Sequence, residues 1–419
     1  MTDVAQRLDG APRLDGAQRR LLFLLGAACF SEGFDFATIT VVLPQIRASF
    51  HLGHTAADLW VALLYLGALP AVVWGRRADR HGRRHVLLLS IVGFTAASAA
   101  TAVAPDIGVF VACQFVARCF IATQVAIAWT MAAEDLPAGR RGFGFGVLAL
   151  ASALGTGLSA IVQAVLLSPL DLSWRWLYVL AVPFLVVVVV LNRDLPESTR
   201  YVRLAARHDP EQGAARELLR PPFRRPLVLI CAAILLGNLA TQGTVFAVDF
   251  MQTERGLSSS AANLLLVGAG AVALPVLTLA GRLSDQVGRR RVAAGGLVVQ
   301  AVGLMVFFVL AHGALQLGLA LGLTYVGLFA AWTTGNAFAV EVFPTALRGA
   351  ASASSSMAKL VGQSASFALA AALLTATHRT STTIEVLVVG LLAAAVIIAV
   401  ALPETSRREL TDVAALAPS

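Results

Sequence analysis

Four ionisable residues interrupt stretches that are otherwise apolar: Glu32, Asp35, Arg118 and Lys359, the last being the only lysine in the chain. Glu32 and Asp35 stand three positions apart and therefore share one face of a helix. A charged side chain at the middle of a lipid-facing helix costs roughly 2.5 to 3.5 kcal/mol on insertion scales, so two acids and two bases at similar depth should line an interior. Proton exchange and recognition of a charged solute are the chemistries open to such a set; a purely structural salt bridge fits the same residues. An acid whose neighbouring cation swings away during a conformational change can take up a proton and release it when the cation returns. That swing is enough to couple a proton to movement of a solute, provided each partner binds the two conformations unequally.

The elements that carry these residues are membrane helices. The chain is 58% hydrophobic and 13% charged, with a mean hydropathy of +0.77, too little polar surface for a soluble fold of this length. About 20 apolar residues cross the hydrocarbon, and twelve such stretches are legible: 21–45, 58–76, 86–105, 108–133, 143–168, 174–192, 226–251, 260–280, 292–312, 314–340, 350–376 and 384–402. This predicts an all-α membrane protein with twelve transmembrane helices in two six-helix pseudo-repeats around a central cavity. The expected partition is a disordered cytoplasmic tail at 1–20, a first bundle at 21–192, a cytoplasmic linker at 193–225, a second bundle at 226–402 and a tail at 403–419.

The pseudo-repeat is written in the charged blocks. The run from Gly75 through Asp79 to Arg83 and Arg84 returns as Gly281, Asp285, Arg289 and Arg290, displaced by 206 positions. Glu134, Pro137, Arg141 and Gly142 return as Glu341, Pro344, Arg348 and Gly349, and Leu195-Pro196-Glu197 returns as Leu402-Pro403-Glu404, each displaced by 207. Repeated halves are a signature of secondary transporters. Arginines crowd both copies of the first block and the linker, which places those segments, and both termini with an even helix count, on the cytoplasmic side. The net charge of +8 then reflects orientation in the membrane and gives no reason to expect a nucleic-acid partner. In the block around Asp79 a carboxylate beside several arginines can cap backbone N–H groups of a neighbouring helix and bond guanidinium, with glycines allowing close approach; anchoring of the loop at lipid headgroups is the plainer reading.

Other machinery is not found in the sequence. Cys29, Cys113, Cys119 and Cys231 fall inside the apolar stretches without metal-ligand spacing, so packing is their expected role. No Walker loop, dinucleotide-binding glycine pattern or nucleophile elbow is present, which points away from an enzyme and from ATP-driven pumping. The expected energy source is a proton gradient, with no cofactor and no metal; the expected partners are a small-molecule substrate, protons and membrane lipids, for a monomeric carrier.

The loop blocks GRRADRHGRR and GRLSDQVGRR resemble the signature of the major facilitator superfamily between helices 2 and 3 and its repeat between helices 8 and 9. The resemblance covers about residues 20 to 410; the blocks AEDLPAGRRG, VEVFPTALRG, LPESTR and LPETSR are similar to the sugar-porter, organic-ion and aromatic-acid branches. It implies that Gly75, Asp79, Arg83, Glu134, Arg141, Glu197 and Arg200, with Gly281, Asp285, Arg289, Glu341, Arg348 and Glu404, form an inner gate. It also implies that Asp35, in the helix 1 pattern beginning at Glu32, titrates against Arg118 of helix 4, with Glu32 as the alternative proton site. Ala122 and Gln124 replace two glycines of the helix 4 pattern, so Gln124 is expected to face substrate.

Helix 7 lacks the paired glutamines of sugar porters and helix 10 lacks their prolines, which lowers the case for a sugar. A cation in helix 11 is familiar in the organic-ion and aromatic-acid branches. The expected substrate-binding set is Arg118, Gln124, Asn238, Gln242, Trp332, Asn336, Lys359 and Gln363, and the expected function is proton-coupled uptake of a small organic acid anion such as an aromatic carboxylate. Drug or metabolite efflux in exchange for protons, and sugar or polyol symport, are the alternatives.

Overall fold

The structure is a computed structural model that describes residues 14–136, 141–192, 217–343, 347–377 and 379–404. Among the described residues there are helices and connecting turns, and no strands. In chain order, α1 is Gly16–Ser49, α2 runs as His54–Leu66 and Ala71–His81, α3 is Arg83–Ala102, α4 is Ile107–Asp135, α5 is Arg141–Ile161 and α6 is Arg175–Asn192. The second repeat has α7 as Arg224–Gly237, Thr241–Val245 and Ala247–Thr253, then α8 Ser259–Val287, α9 Arg289–Met305, α10 Ala314–Glu341, α11 Arg348–Thr377 and α12 Thr380–Ala401. Ten of the spans are long and apolar enough to cross a membrane by length and composition. With the broken α2 and the 18-residue α6, these make up the twelve-helix, two-repeat fold.

Local chemistry explains where helices start and break. α1 begins inside the segment expected to be a tail because Asp15 and Gln18 form a reciprocal cap: Gln18 N–H donates to Asp15 Oδ1 at 2.7 Å and Asp15 N–H to Gln18 Oε1 at 3.1 Å. Two orphan donors of the first turn are satisfied that way. The expected single span 58–76 is interrupted by a turn at Gly67–Pro70; proline carries no N–H for the helical ladder, so Pro70 starts the second piece instead of continuing the first. The α7 span is interrupted twice. At its first break Asn238 Nδ2 donates to the Ile234 carbonyl at 2.8 Å and Thr241 Oγ1 to the Asn238 carbonyl at 2.7 Å, side chains taking over where backbone bonding lapses.

The repeat is visible in three dimensions. Gly82 and Gly288 occupy equivalent junctions, α2 to α3 and α8 to α9, with φ of 100° and 116°. Each donates its N–H back to the preceding helix, to Ala78 O and Ser284 O, both at 3.1 Å. Only glycine adopts that backbone without strain.

The chain separates into two compact units: residues up to Val42 with Gly67–Asp209, and Leu43–Leu66 with the chain from Pro210 onward. The expected division kept all of 21–192 together; the last turns of α1 and the first piece of α2 instead cluster with the second half. The cause is an apolar seam in which Leu43, Ala57, Val61, Ala62 and Tyr65 pack with Val245, Phe246 and Phe367. Tyr65 stacks on Phe367 at 5.2 Å between ring centroids. In the first unit α1 meets α5 at van der Waals limits: a Cβ on Gly33 would lie 1.9 Å from the Ser152 carbonyl oxygen, and one on Gly155 2.1 Å from that of Phe30. Glycine at both positions lets the backbones touch.

Candidate functional site

In the first unit the acids of α1 are positioned by that glycine contact. Ser152 of α5 donates its hydroxyl to Glu32 Oε2 at 2.7 Å, and Thr156 donates to the Gly33 carbonyl at 3.1 Å. Asp35 is 3% exposed, and its Oδ2 has no hydrogen-bond partner among the described residues. Arg118 of α4, also buried, places its guanidinium over the Phe36 ring at 5.1 Å from the centroid, and the charges of Arg118 and Glu32 both act on Asp35. The three ionisable residues expected to work together are thus brought together.

The cluster contains a group that sequence reasoning missed. Tyr178 of α6 is fully buried, its hydroxyl lacks a hydrogen-bond partner among the described residues, and it feels the charges of Asp35 and Arg118. A single tyrosine in the long apolar run of α6 carries no pattern to mark it.

The expected substrate contacts fare unevenly. Gln124 does not open onto a cavity: it is buried, and its Nε2 donates to the Ala28 carbonyl at 2.7 Å and lies 3.1 Å from Ser31 Oγ, tying α4 to α1. In the second unit Asn238 bonds within the α7 break, and Gln242 is buried with its Nε2 directed at Asp58 Oδ1, 3.3 Å away. Lys359 is partly buried on α11, Gln363 lies one turn further and is 8% exposed, and Trp332 of α10 is 40% exposed. The side chain of Asn336 falls outside the described residues.

Of the gate residues, the second copy is best defined. Glu404 accepts the first free N–H groups of α9, from Arg289 at 2.9 Å and Arg290 at 3.3 Å, while Arg290 Nη1 donates to the Leu402 carbonyl at 3.1 Å. A Cβ on Gly288 would lie 2.5 Å from Glu404 Oε2, so the glycine admits the carboxylate to the helix end, where the dipole favours a negative charge. Arg289 Nη1 also donates to Ser284 Oγ at 3.2 Å. Arg83 is buried. Among the described residues nothing lies within 4 Å of where a Cβ on Gly75 would be; Gly82 and Gly288 hold the special backbone. Glu197 and Arg200 lie outside the described residues, as do the side chains of Asp79, Glu134, Arg141, Gly281, Asp285, Glu341 and Arg348.

Removing the Glu404 cap should be measurable. Glu404→Ala is expected to lower stability by about 0.5 to 2 kcal/mol, the usual cost of losing a capping side chain, read as thermal unfolding of the purified protein in detergent. An unchanged unfolding temperature would show that the carboxylate contributes nothing there.

Comparison with known proteins settles the family. The sequence model of the Major Facilitator Superfamily matches residues 25–247 and 228–416. The chain belongs to that superfamily. Among curated relatives, the sialic acid transporter NanX of Escherichia coli is 21% identical over 339 residues, covering 79% of this chain and 81% of that protein. A cis,cis-muconate transport protein of Acinetobacter baylyi is 25% identical over 339 residues, covering 77% and 80%. In fold, a D-xylose-proton symporter superposes with a TM-score of 0.77 at 19% identity, over 92% of this chain and 98% of that one. This Major Facilitator Superfamily member is therefore a multi-pass membrane protein and a secondary transporter with a small-molecule substrate.

Proposed function

We propose that the protein couples a proton gradient to uptake of a small organic acid anion, an aromatic or other small carboxylate, across the cell membrane, with both termini on the cytoplasmic side. The cluster of buried Asp35 and Arg118 with half-buried Glu32 carries the reading. An acid, a second acid and a guanidinium held between α1, α4 and α5 form a unit whose protonation can follow conformation. Asp35 is the proton carrier and Arg118 its partner; Lys359, with Trp332, Asn336 and Gln363, supplies the anion-binding side in the second unit. Relatives named for sialic acid and cis,cis-muconate, both carboxylates, favour this substrate class over a neutral sugar. The gate residues Asp79 and Asp285, with Glu404, bias the conformational equilibrium without touching solute.

The test is a thermal-shift screen of the detergent-solubilised protein against sugars, aromatic acids, nicotinate and hydrophobic cations, because a ligand that binds only the folded state raises its apparent stability. Stabilisation by carboxylates alone is the expected result. Stabilisation only by sugars or only by cations would replace the organic-acid reading with sugar symport or efflux.

A further inference from the structure

A second acid sits where no motif marks it. Asp58, in the first piece of α2, is fully buried in the second unit. It borders the seam formed by Ala57, Val61, Ala62 and Tyr65 with Val245, Phe246 and Phe367. Its Oδ1 accepts from Gln242 Nε2 at 3.3 Å, and its Oδ2 has no hydrogen-bond partner among the described residues; neither has Gln242 Oε1. Gln242 itself is fixed, since its backbone N–H donates to Ser366 Oγ at 3.0 Å and Ser366 bonds the Leu239 carbonyl in the α7 break.

The charges around this pair do not neutralise it. Arg47, from the end of α1, acts on Asp58 but is ion-paired with Asp249 of α7. Asp249 Oδ2 also lies 3.5 Å from His54 Nδ1, at the start of α2. Glu254, just past α7, adds a further negative charge acting on Asp249. α11 faces the seam with Ser364, which donates to the Ala62 carbonyl at 2.9 Å, and with Ser366 and Phe367, none of them titratable. An ionised Asp58 would be a buried charge with one long amide bond and a bare oxygen, a costly arrangement in an apolar surround.

One proton resolves both orphan oxygens. A carboxylic acid beside a primary amide makes two hydrogen bonds, amide N–H to carboxyl oxygen and carboxyl O–H to amide oxygen; the first is present, and Asp58 Oδ2 and Gln242 Oε1 are the two atoms the second requires. We propose that Asp58 is a proton-binding site, separate from Asp35, whose neutral form pins Leu43–Leu66 against α7 and α11 and whose loss of the proton releases that seam. The inference rests on the transporter family and on no particular solute.

The experiment is difference infrared spectroscopy of the full-length protein, purified without substrate and without a gradient, stepping the pH from acid to alkaline. Among the carboxylic-acid carbonyl bands of the wild type, one is expected to be missing in Asp58→Asn and still present in Asp35→Asn. Gln242→Met is expected to keep the Asp58 band but move it to the higher wavenumber of a carboxyl lacking a hydrogen-bond partner, which decides the matter even if Asp58→Asn does not fold. No band lost in Asp58→Asn, or an Asp58 band unmoved by Gln242→Met, overturns the proposal. Because no solute is present, failure of the organic-acid reading in the binding screen leaves this result untouched.

Discussion

Asp35→Asn is expected to abolish concentrative, proton-driven uptake while leaving exchange of substrate across the membrane measurable. Asparagine has nearly the same shape and cannot ionise, so the α1 contact with α5 through Gly33 and Gly155 should survive the change. Exchange needs the loaded carrier to change conformation; accumulation also needs a proton to bind on one side and leave on the other. Radiolabelled uptake and counterflow in proteoliposomes separate the two. Equal loss of both would make Asp35 structural. Glu32→Gln, run alongside, tests the other acid: Glu32 is held by Ser152, which suits a positioning role, and the variant should reduce the rate without uncoupling it.

Lys359→Ala carries the second large effect. A cation at membrane depth has few waters to replace a lost partner, and a substrate carboxylate would make a charge-assisted bond to it. Such a bond contributes about 1.5 to 3 kcal/mol, so affinity for an organic acid should fall roughly 10- to 150-fold, while a neutral amide analogue should be nearly indifferent. Titration calorimetry on the purified variant measures this. Arg118→Ala would be less informative, because Arg118 also acts on Asp35. Unchanged acid binding in Lys359→Ala would remove the anion-site assignment.

The twelve spans and the repeat were readable because both rest on patterns longer than any single residue: hydropathy averaged over a helix, and charged blocks in step across half the chain. The acids of α1 and Arg118 were readable for the opposite reason, since a charge in an apolar run is conspicuous. What the sequence does not display depends on three-dimensional partners. Asp58 lies at the soft edge of its span, where a charge looks like a boundary, and its burial comes from α7 and α11, far away in sequence. Tyr178 is polar only at its hydroxyl and blends into α6. Gln124 stands where a glycine was expected, and the sequence does not say whether its amide turns toward solute or toward α1; the bonds to Ala28 and Ser31 answer that. The breaks in α2 and α7 had local causes in Pro70 and in the Asn238 to Gln242 run, but a twenty-residue hydropathy window passes over both. The grouping of Leu43–Leu66 with the second half has no local signal at all, because it follows from packing partners such as Phe367.

The claim that most needs testing is that an inward proton gradient drives a carboxylate through this protein. Purified transporter in proteoliposomes, given radiolabelled benzoate or nicotinate with acid outside, should accumulate label above the outside concentration, beyond that of protein-free vesicles, and should lose the excess when a protonophore collapses the gradient. Equilibration without accumulation, or gradient-driven movement only of sugars or cations, would contradict the account.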